Sequence, residues 1–232
     1  MAPARFGITL PLLLSLNAGF VDTAGFLALQ GLFTAHVTGN FVTLGASLVL
    51  GTSGAVAKLL ALPVFCVVVI TIRLLSSWLL RRKLAALRIV LGLKVVLLIA
   101  GAALAIHFGP FGNGDAWQAV VTGLVLVAAM AIQNAAHRIH LGSAPPSTLM
   151  TGTTTQIMID LADMIQTPKS EAAERPGARL LRMSTNIAVF AAGCAAAAIL
   201  YAHIGVWCFV VPPVLGFVAL FLRMAAAENE PH

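Results

Sequence analysis

The sequence has very few charged residues. Only 9% of its 232 residues are Asp, Glu, Lys or Arg, whereas 59% are hydrophobic. A typical soluble domain carries about 25% charged residues, so this composition excludes an ordinary soluble domain. Long stretches contain no charged residue at all, namely 23–57, 95–114, 116–137, 139–159 and 183–222. Because a membrane helix needs about 20 apolar residues, the sequence predicts an all-α integral membrane protein with several spans.

Cysteine is also scarce, and this bounds the chemistry. Cys66, Cys194 and Cys208 all lie in apolar stretches, where small buried side chains are the ordinary interpretation. They form neither a disulfide framework nor a metal-ligand pattern. The two histidines of "HRIH", at 137–140, lie at a predicted membrane boundary beside Arg138, which favours a wetted interface over a metal site. The sequence therefore predicts no cofactor and no metal.

Features of an enzyme or of a nucleic-acid-binding protein are missing as well. The net charge of +6 comes from basic residues that collect in loops, as they do on the cytoplasmic side of membrane proteins. Asp160 and Asp163 resemble a carboxylate pair, but no neighbouring motif completes a catalytic site, so a solvated or capping role is favoured. The one aqueous loop of any length is 167–179. We expect the lipid bilayer as a partner, no nucleic acid and no enzymatic activity.

Six segments are predicted to span the membrane, and two shorter segments, 38–52 and 150–165, carry polar Thr-Gly breaks. The predicted spans are 8–31, 59–80, 86–107, 117–137, 180–201 and 205–223. If both short segments re-enter from one side, Arg5 and nearly all other basic residues fall inside, and only Lys58 falls outside. The positive-inside rule thus favours six transmembrane helices, two re-entrant half-helices and cytoplasmic termini. Arg73 and Lys94 are expected to snorkel toward the inner surface.

The two Thr-Gly breaks also mark an internal repeat. Aligning Thr38-Gly39 with Thr151-Gly152, with one residue of slack at Pro145-Pro146, places "FVDTAG" on "IQNAAH", so Asp22 corresponds to Asn134. Each half then holds three spans and one break, with a first membrane repeat at 1–110 and a second at 111–232. Because three is an odd number, the second half must have the opposite orientation. A 3+3 inverted-topology repeat is a recurrent plan of transporters.

The stretch "GFVDTAGFLALQGLFTAHVTGNFVTLG", followed by "QNA" and "MTGTTTQ", resembles the YoaK-like family of bacterial multi-pass membrane proteins, a domain of unknown function. The resemblance covers nearly the whole chain. It implies a bacterial inner-membrane protein and brings no substrate or catalytic residues. Proteins of this family often repeat Thr-Gly-Asn in the second break, whereas this sequence has Thr-Gly-Thr there. The two breaks therefore need not have the same function.

The breaks are candidate binding elements. Gly39 and Gly152 permit a sharp turn, and Thr38, Asn40, Thr151 and Thr153 can cap the helices that follow. Two helix N-termini that meet at mid-depth would offer N–H donors to a polar or anionic group. The alternative is that the small residues only allow close helix packing.

Asp22 is the strongest single candidate, because an ionisable residue within a span is costly and indicates function. It forms a candidate substrate-binding set with the breaks, Gln133 and Asn134. The alternative is a structural role, in which Asp22 caps the first break or pairs with Arg73. Together these features predict a small-solute transporter or channel-like carrier, with proton coupling and a homo-oligomer left open. A non-transporting scaffold or complex subunit is the alternative, and an intramembrane enzyme has the least support.

Overall fold

The computed structural model describes residues 9–142, 144–148, 150–166 and 176–228, which form eight α-helices and no strand. The helices are α1 (Leu10–Ala28), α2 (Asn40–Leu50), α3 (Ala55–Arg81), α4 (Ala86–Phe108), α5 (Trp117–His140), α6 (Met150–Gln166), α7 (Pro176–Ile204) and α8 (Val211–Glu228). Short 3₁₀ turns at Val37–Gly39 and Gly205–Val210 precede α2 and α8. Arg5 and most of the predicted loop 167–179 lie outside the described residues.

Length and apolar composition mark five stretches in this part of the chain as candidate membrane spans. They are α1, α3, α4, α5 and a 46-residue stretch, Gly177–Leu222, that contains α7 and most of α8. The sequence predicts six spans because it separates the last two. Within the 46-residue stretch, Gly205 has a φ of +54°, a left-handed conformation that interrupts helical geometry. The protein is thus an all-α, multi-pass membrane protein.

The centre of the bundle is built by α1 and α5, the two most buried candidate spans. The closest crossing joins α1 to α7, where Gly19 faces the Phe190 carbonyl and Gly193 faces the Leu16 carbonyl. A Cβ at either glycine would overlap the opposing backbone oxygen. Small residues allow this backbone approach, which contributes van der Waals packing between membrane helices.

The chain turns back after α1 through Gln30 and Gly31, which have φ values of +55° and +82°. This turn leads to the first break and to α2, an 11-residue helix too short to span a bilayer. Gly39 itself has a φ of −62°, a conformation open to any residue. The expectation that Gly39 supplies the backbone freedom of the break is therefore wrong, and the left-handed conformations fall at Gln30 and Gly31.

Asp160 joins α6 to α7. Its side chain is 2% exposed, accepts a bond from Nε of Arg179 at 2.8 Å and a second from another nitrogen of the same guanidinium. The nitrogen of the Gln156 amide donates to it at 2.8 Å. The expected solvated role is therefore wrong for Asp160, whereas Asp163 is exposed.

Asp115, in the loop before α5, caps the start of α3. Its two carboxylate oxygens accept the N–H groups of Gly54 and Val56, each at 2.9 Å. Asp115→Ala is expected to lower stability by about 0.5–2 kcal/mol, the usual cost of losing a helix cap. Thermal unfolding in detergent would measure this, with exposed Asp163→Ala as the control. Equal melting temperatures for the two variants would contradict the capping role.

Candidate functional site

The Asp22 carboxylate is buried in α1 and binds the chain that returns after the turn. The backbone N–H groups of Thr34 and Ala35 both donate to its Oδ1 at 2.7 Å. A carboxylate buried in a membrane helix is stabilised only by such donors or by a countercharge. Asp22 therefore holds the returning chain in place, as the structural alternative predicts, and it does so through Oδ1 alone.

The second oxygen of Asp22 pairs with His36. Nδ1 of the imidazole lies 2.6 Å from Oδ2, and the histidine side chain is 34% exposed while that of Asp22 is 6% exposed. His36 is not among the site residues predicted from the sequence, where Arg73 is the alternative partner of Asp22. A usable signal was present, because His36 lies two residues before the Thr-Gly pair that was expected to approach Asp22.

Asn40 holds the shape of the first break. Its side-chain oxygen accepts the Phe33 N–H at 2.8 Å, and its nitrogen donates to the Phe33 carbonyl at 2.8 Å. The cap residue of α2 is Gly39, and no side-chain cap bond forms there. The expected capping by Thr38 or Asn40 is therefore wrong, and Thr38 is exposed. Gly39 leaves room for the Phe33 ring, which a Cβ would meet at 3.0 Å.

A cavity of about 490 Å³ opens beside the Asp22–His36 pair. Aromatic rings lie next to one another along its wall. The ring centroids of Phe26 and Phe33 are 4.9 Å apart, and those of His36 and Phe190 are 5.4 Å apart. The complete lining is Asp22, Thr23, Phe26, Leu27, Phe33, His36, Gly39, Phe190 and Cys194. Among these residues one carboxylate faces four aromatic rings, and no Lys or Arg is present.

Asn134, the residue that the sequence alignment pairs with Asp22, bonds to the chain just before α6. The Thr148 hydroxyl donates to the Asn134 side-chain oxygen at 2.6 Å. Asp22 and Asn134 thus occupy similar places, since each binds a residue of the segment that leads into a short helix.

The residues of the second Thr-Gly break lie on α6. Thr151 and Gly152 are exposed, and a Cβ on Gly152 would have no heavy atom within 4 Å. Thr153 is 3% exposed. Thr151, Gly152 and Thr153 thus lie within α6, which begins at Met150. The expected sharp turn at Gly152 is therefore wrong, and Thr151 and Thr153 do not occupy the cap position.

Gln133 lies in a separate buried network around Lys94. Nζ of Lys94 donates to the Gln133 side-chain oxygen at 2.5 Å. The amide nitrogen of Gln133 donates to the Leu14 carbonyl at 2.9 Å and to the Ser147 hydroxyl at 3.0 Å. The expectation that Lys94 snorkels is wrong, because its side chain is 1% exposed and lies on the face of α4 that packs against α5.

Arg73 lines a second cavity, of about 350 Å³, between α3 and α5. Its neighbours there are Phe65, Val69, Asn134, Ala135, Arg138 and Ile139. The alternative pairing of Arg73 with Asp22 is therefore wrong. The expectation of a wetted interface is wrong for His137, which is 5% exposed and contacts the Ala144 carbonyl at 3.1 Å. His140 is partly exposed and lies 3.3 Å from the Ser76 hydroxyl.

The Asp22–His36 pair is the part of this arrangement with chemical capacity. A carboxylate and an imidazole in contact can share or exchange a proton, and the aromatic faces around them attract cations. The partly exposed histidine leaves the pair reachable from the cavity, while the Thr34 and Ala35 N–H groups keep the carboxylate in place.

Comparison with known proteins assigns the chain to a family without assigning an activity. A model of the family described as "Protein of unknown function (DUF1275)" matches residues 10–222. The chain is also 48% identical over 48 residues to the UPF0700 transmembrane protein YoaK of Bacillus subtilis (strain 168), a match that covers 21% of each protein. No solved structure matches the chain. Since the family model matches almost the whole length, the chain belongs to the DUF1275 family of membrane proteins of unknown function.

Proposed function

We propose that this protein is a proton-coupled carrier for a small organic cation. The observation that carries the proposal is the Asp22–His36 pair on the wall of a cavity of about 490 Å³. A cavity of this size accommodates a small organic molecule. Its lining pairs one carboxylate with aromatic rings, which suits an amine or other cation better than the anion that two converging helix N-termini suggested.

Competition for Asp22 supplies the coupling. With the site empty, Asp22 Oδ2 holds the His36 imidazole, which keeps a proton when the two groups are an ion pair. An organic cation in the cavity would take the place of the imidazolium at Oδ2, and His36 would then release its proton. One proton would leave for each cation bound, which is the stoichiometry of an antiporter.

The neighbours of His36 offer a route to a conformational change. Its imidazole bonds to Asp22 of α1 and packs against the Phe190 ring of α7, with ring centroids 5.4 Å apart. A solute that displaces the imidazole from Asp22 would also disturb this contact with the second half of the chain. Binding energy at the first break is therefore available to move helices of the second half, as alternating access requires.

Two features support the six-span inverted repeat as the frame of this carrier. The alignment pairs α1 with α5, α2 with α6, α3 with α7 and α4 with α8. Helix packing follows the same pairing. The contact of α1 with α7 matches that of α5 with α3, and the contact of α2 with α3 matches that of α6 with α7. The contact of α4 with α5 likewise matches that of α8 with α1. A two-fold relation between the halves accounts for these matched contacts.

The two cavities also match position by position. The alignment that pairs Asp22 with Asn134 pairs the other α1 residues of the first cavity, Thr23, Phe26 and Leu27, with the α5 residues of the second, Ala135, Arg138 and Ile139. On the opposite walls the spacing is also shared, between Phe190 and Cys194 on α7 and between Phe65 and Val69 on α3.

We infer a location in the bacterial inner membrane, with both termini cytoplasmic, because nearly all basic residues then lie on the inner side.

A transport screen in reconstituted vesicles tests the proposal. Vesicles with an imposed pH gradient and an internal pH dye would receive a panel of small monovalent amines, with size-matched carboxylates and neutral amides as controls. We expect amines alone to collapse the gradient faster in protein-containing vesicles than in empty ones. Equal rates for every solute class would reject the carrier and favour the scaffold or complex subunit.

Cys194 provides an independent binding measurement, because it lines the cavity. In a Cys66→Ser background, which removes the exposed cysteine, N-ethylmaleimide is expected to label Cys194. An amine that is transported should slow this labelling, and Cys208, which is buried, should remain unlabelled. Labelling of Cys194 that no transported amine slows would place the solute elsewhere.

A further inference from the structure

The cavity between α3 and α5 has a different character from the Asp22 cavity. It encloses about 350 Å³ and two of its seven lining residues are arginines, Arg73 and Arg138. Both are exposed. The remaining wall is apolar apart from Asn134, whose side chain is engaged with Thr148 and Met130. The site therefore combines two guanidinium groups with an apolar surface.

These two charges have no counterion from the protein in the part that the structure describes. The ion pairs found there are Asp22–His36 and Asp160–Arg179, and no carboxylate lines the cavity. His140, the histidine nearby on α5, contacts the Ser76 hydroxyl three residues beyond Arg73 and supplies no negative charge. An anionic ligand would relieve the repulsion between the two guanidinium groups, and it could accept paired hydrogen bonds from either of them.

The surroundings indicate which kind of anion fits. The α3 surface on both sides of Arg73 presents large apolar side chains, with Ile70 61% exposed and Leu74 65% exposed. In a bilayer these side chains contact acyl chains. Arg73 lies about two turns before the end of α3, and the contact between His140 and Ser76 holds the ends of α3 and α5 together.

We propose that Arg73 and Arg138 bind the phosphate group of an anionic phospholipid, whose acyl chains lie along the exposed apolar face of α3. Basic pockets between transmembrane helices bind such head groups because charge attraction and acyl burial act together. A soluble anion would gain the charge attraction alone. The site is separate from the Asp22 cavity and does not depend on transport.

Native mass spectrometry of the detergent-purified protein tests the site. The probes are dioleoylphosphatidylglycerol and the zwitterionic dioleoylphosphatidylcholine. The test variant is Arg73→Gln/Arg138→Gln, and the matched control is Arg81→Gln/Arg82→Gln, which removes the same charge from the exposed end of α3. We expect phosphatidylglycerol affinity to fall roughly tenfold or more in the test variant and to stay within about twofold of wild type in the control.

Two results would overturn the proposal. One is equal phosphatidylglycerol binding by the wild type and the test variant. The other is binding of inorganic phosphate to the wild type as tight as that of the lipid, which would identify a soluble-anion site. Gel filtration checks that the double variant is folded. If it is not, Arg138→Gln alone is measured, and unchanged lipid affinity in that variant also refutes the site.

Discussion

Asp22→Asn is expected to abolish amine-driven proton release while the protein remains folded. Asparagine keeps a side-chain oxygen that can accept the Thr34 and Ala35 N–H groups, which now bond to Oδ1 at 2.7 Å. It loses the charge that holds His36 and that would hold a cation. A hydrogen bond to a charged group contributes about 1.5–3 kcal/mol, so amine binding should weaken roughly ten- to hundredfold. Vesicle flux should fall, and the amine should no longer slow the labelling of Cys194.

Two further variants separate charge from structure. Asp163→Asn removes an exposed carboxylate and should leave flux unchanged. Asp22→Ala removes both roles and leaves the Thr34 and Ala35 N–H groups without their acceptor, at a cost of about 1–3 kcal/mol each. We therefore expect Asp22→Ala to yield little folded protein. Full amine-driven flux in Asp22→Asn would eliminate the coupling role and leave Asp22 as a structural residue.

Gly193→Leu is expected to prevent folding. A Cβ at Gly193 would overlap the Leu16 carbonyl oxygen of α1, and the backbone cannot rotate away as a side chain can. Overpacking by flexible side chains typically costs 1–3 kcal/mol, and separation of α1 from α7 should cost more. The expected result is loss of the monodisperse peak in gel filtration, accompanied by a strongly reduced yield.

Gly45 and Gly92 provide matched controls, because a Cβ at either position would have no heavy atom within 4 Å. Substitution to Leu there adds an apolar side chain to a helix surface and should leave the yield near that of the wild type. A folded Gly193→Leu protein with normal melting behaviour would show that the α1–α7 crossing can open without loss of the fold.

The functional candidates show where sequence reasoning reached its limit. Asp22 is found from the sequence because a carboxylate is expensive in a span wherever it lies. Its partner is not, since the choice between His36 and Arg73 depends on the path of the chain after α1. Lys94 is predicted to snorkel because its helix position is known, but the packing of α5 against α4 buries it. Asn40 is a plausible cap by residue type and instead clamps Phe33.

The sequence by itself determined the helical, multi-pass architecture, the two shorter helices that carry the Thr-Gly pairs and the presence of a carboxylate, Asp22, within a span, because hydropathy and residue type are local properties. Tertiary structure decided which groups meet. Ser15 bonds to Asn186, 171 residues away, and the Asp22 cavity is closed by Phe190 and Cys194 of α7. Such contacts depend on how closely the helices approach one another. Glycines such as Gly19 and Gly193 permit the close approach of α1 and α7, but which backbone each glycine faces is decided only by the packing of the helices.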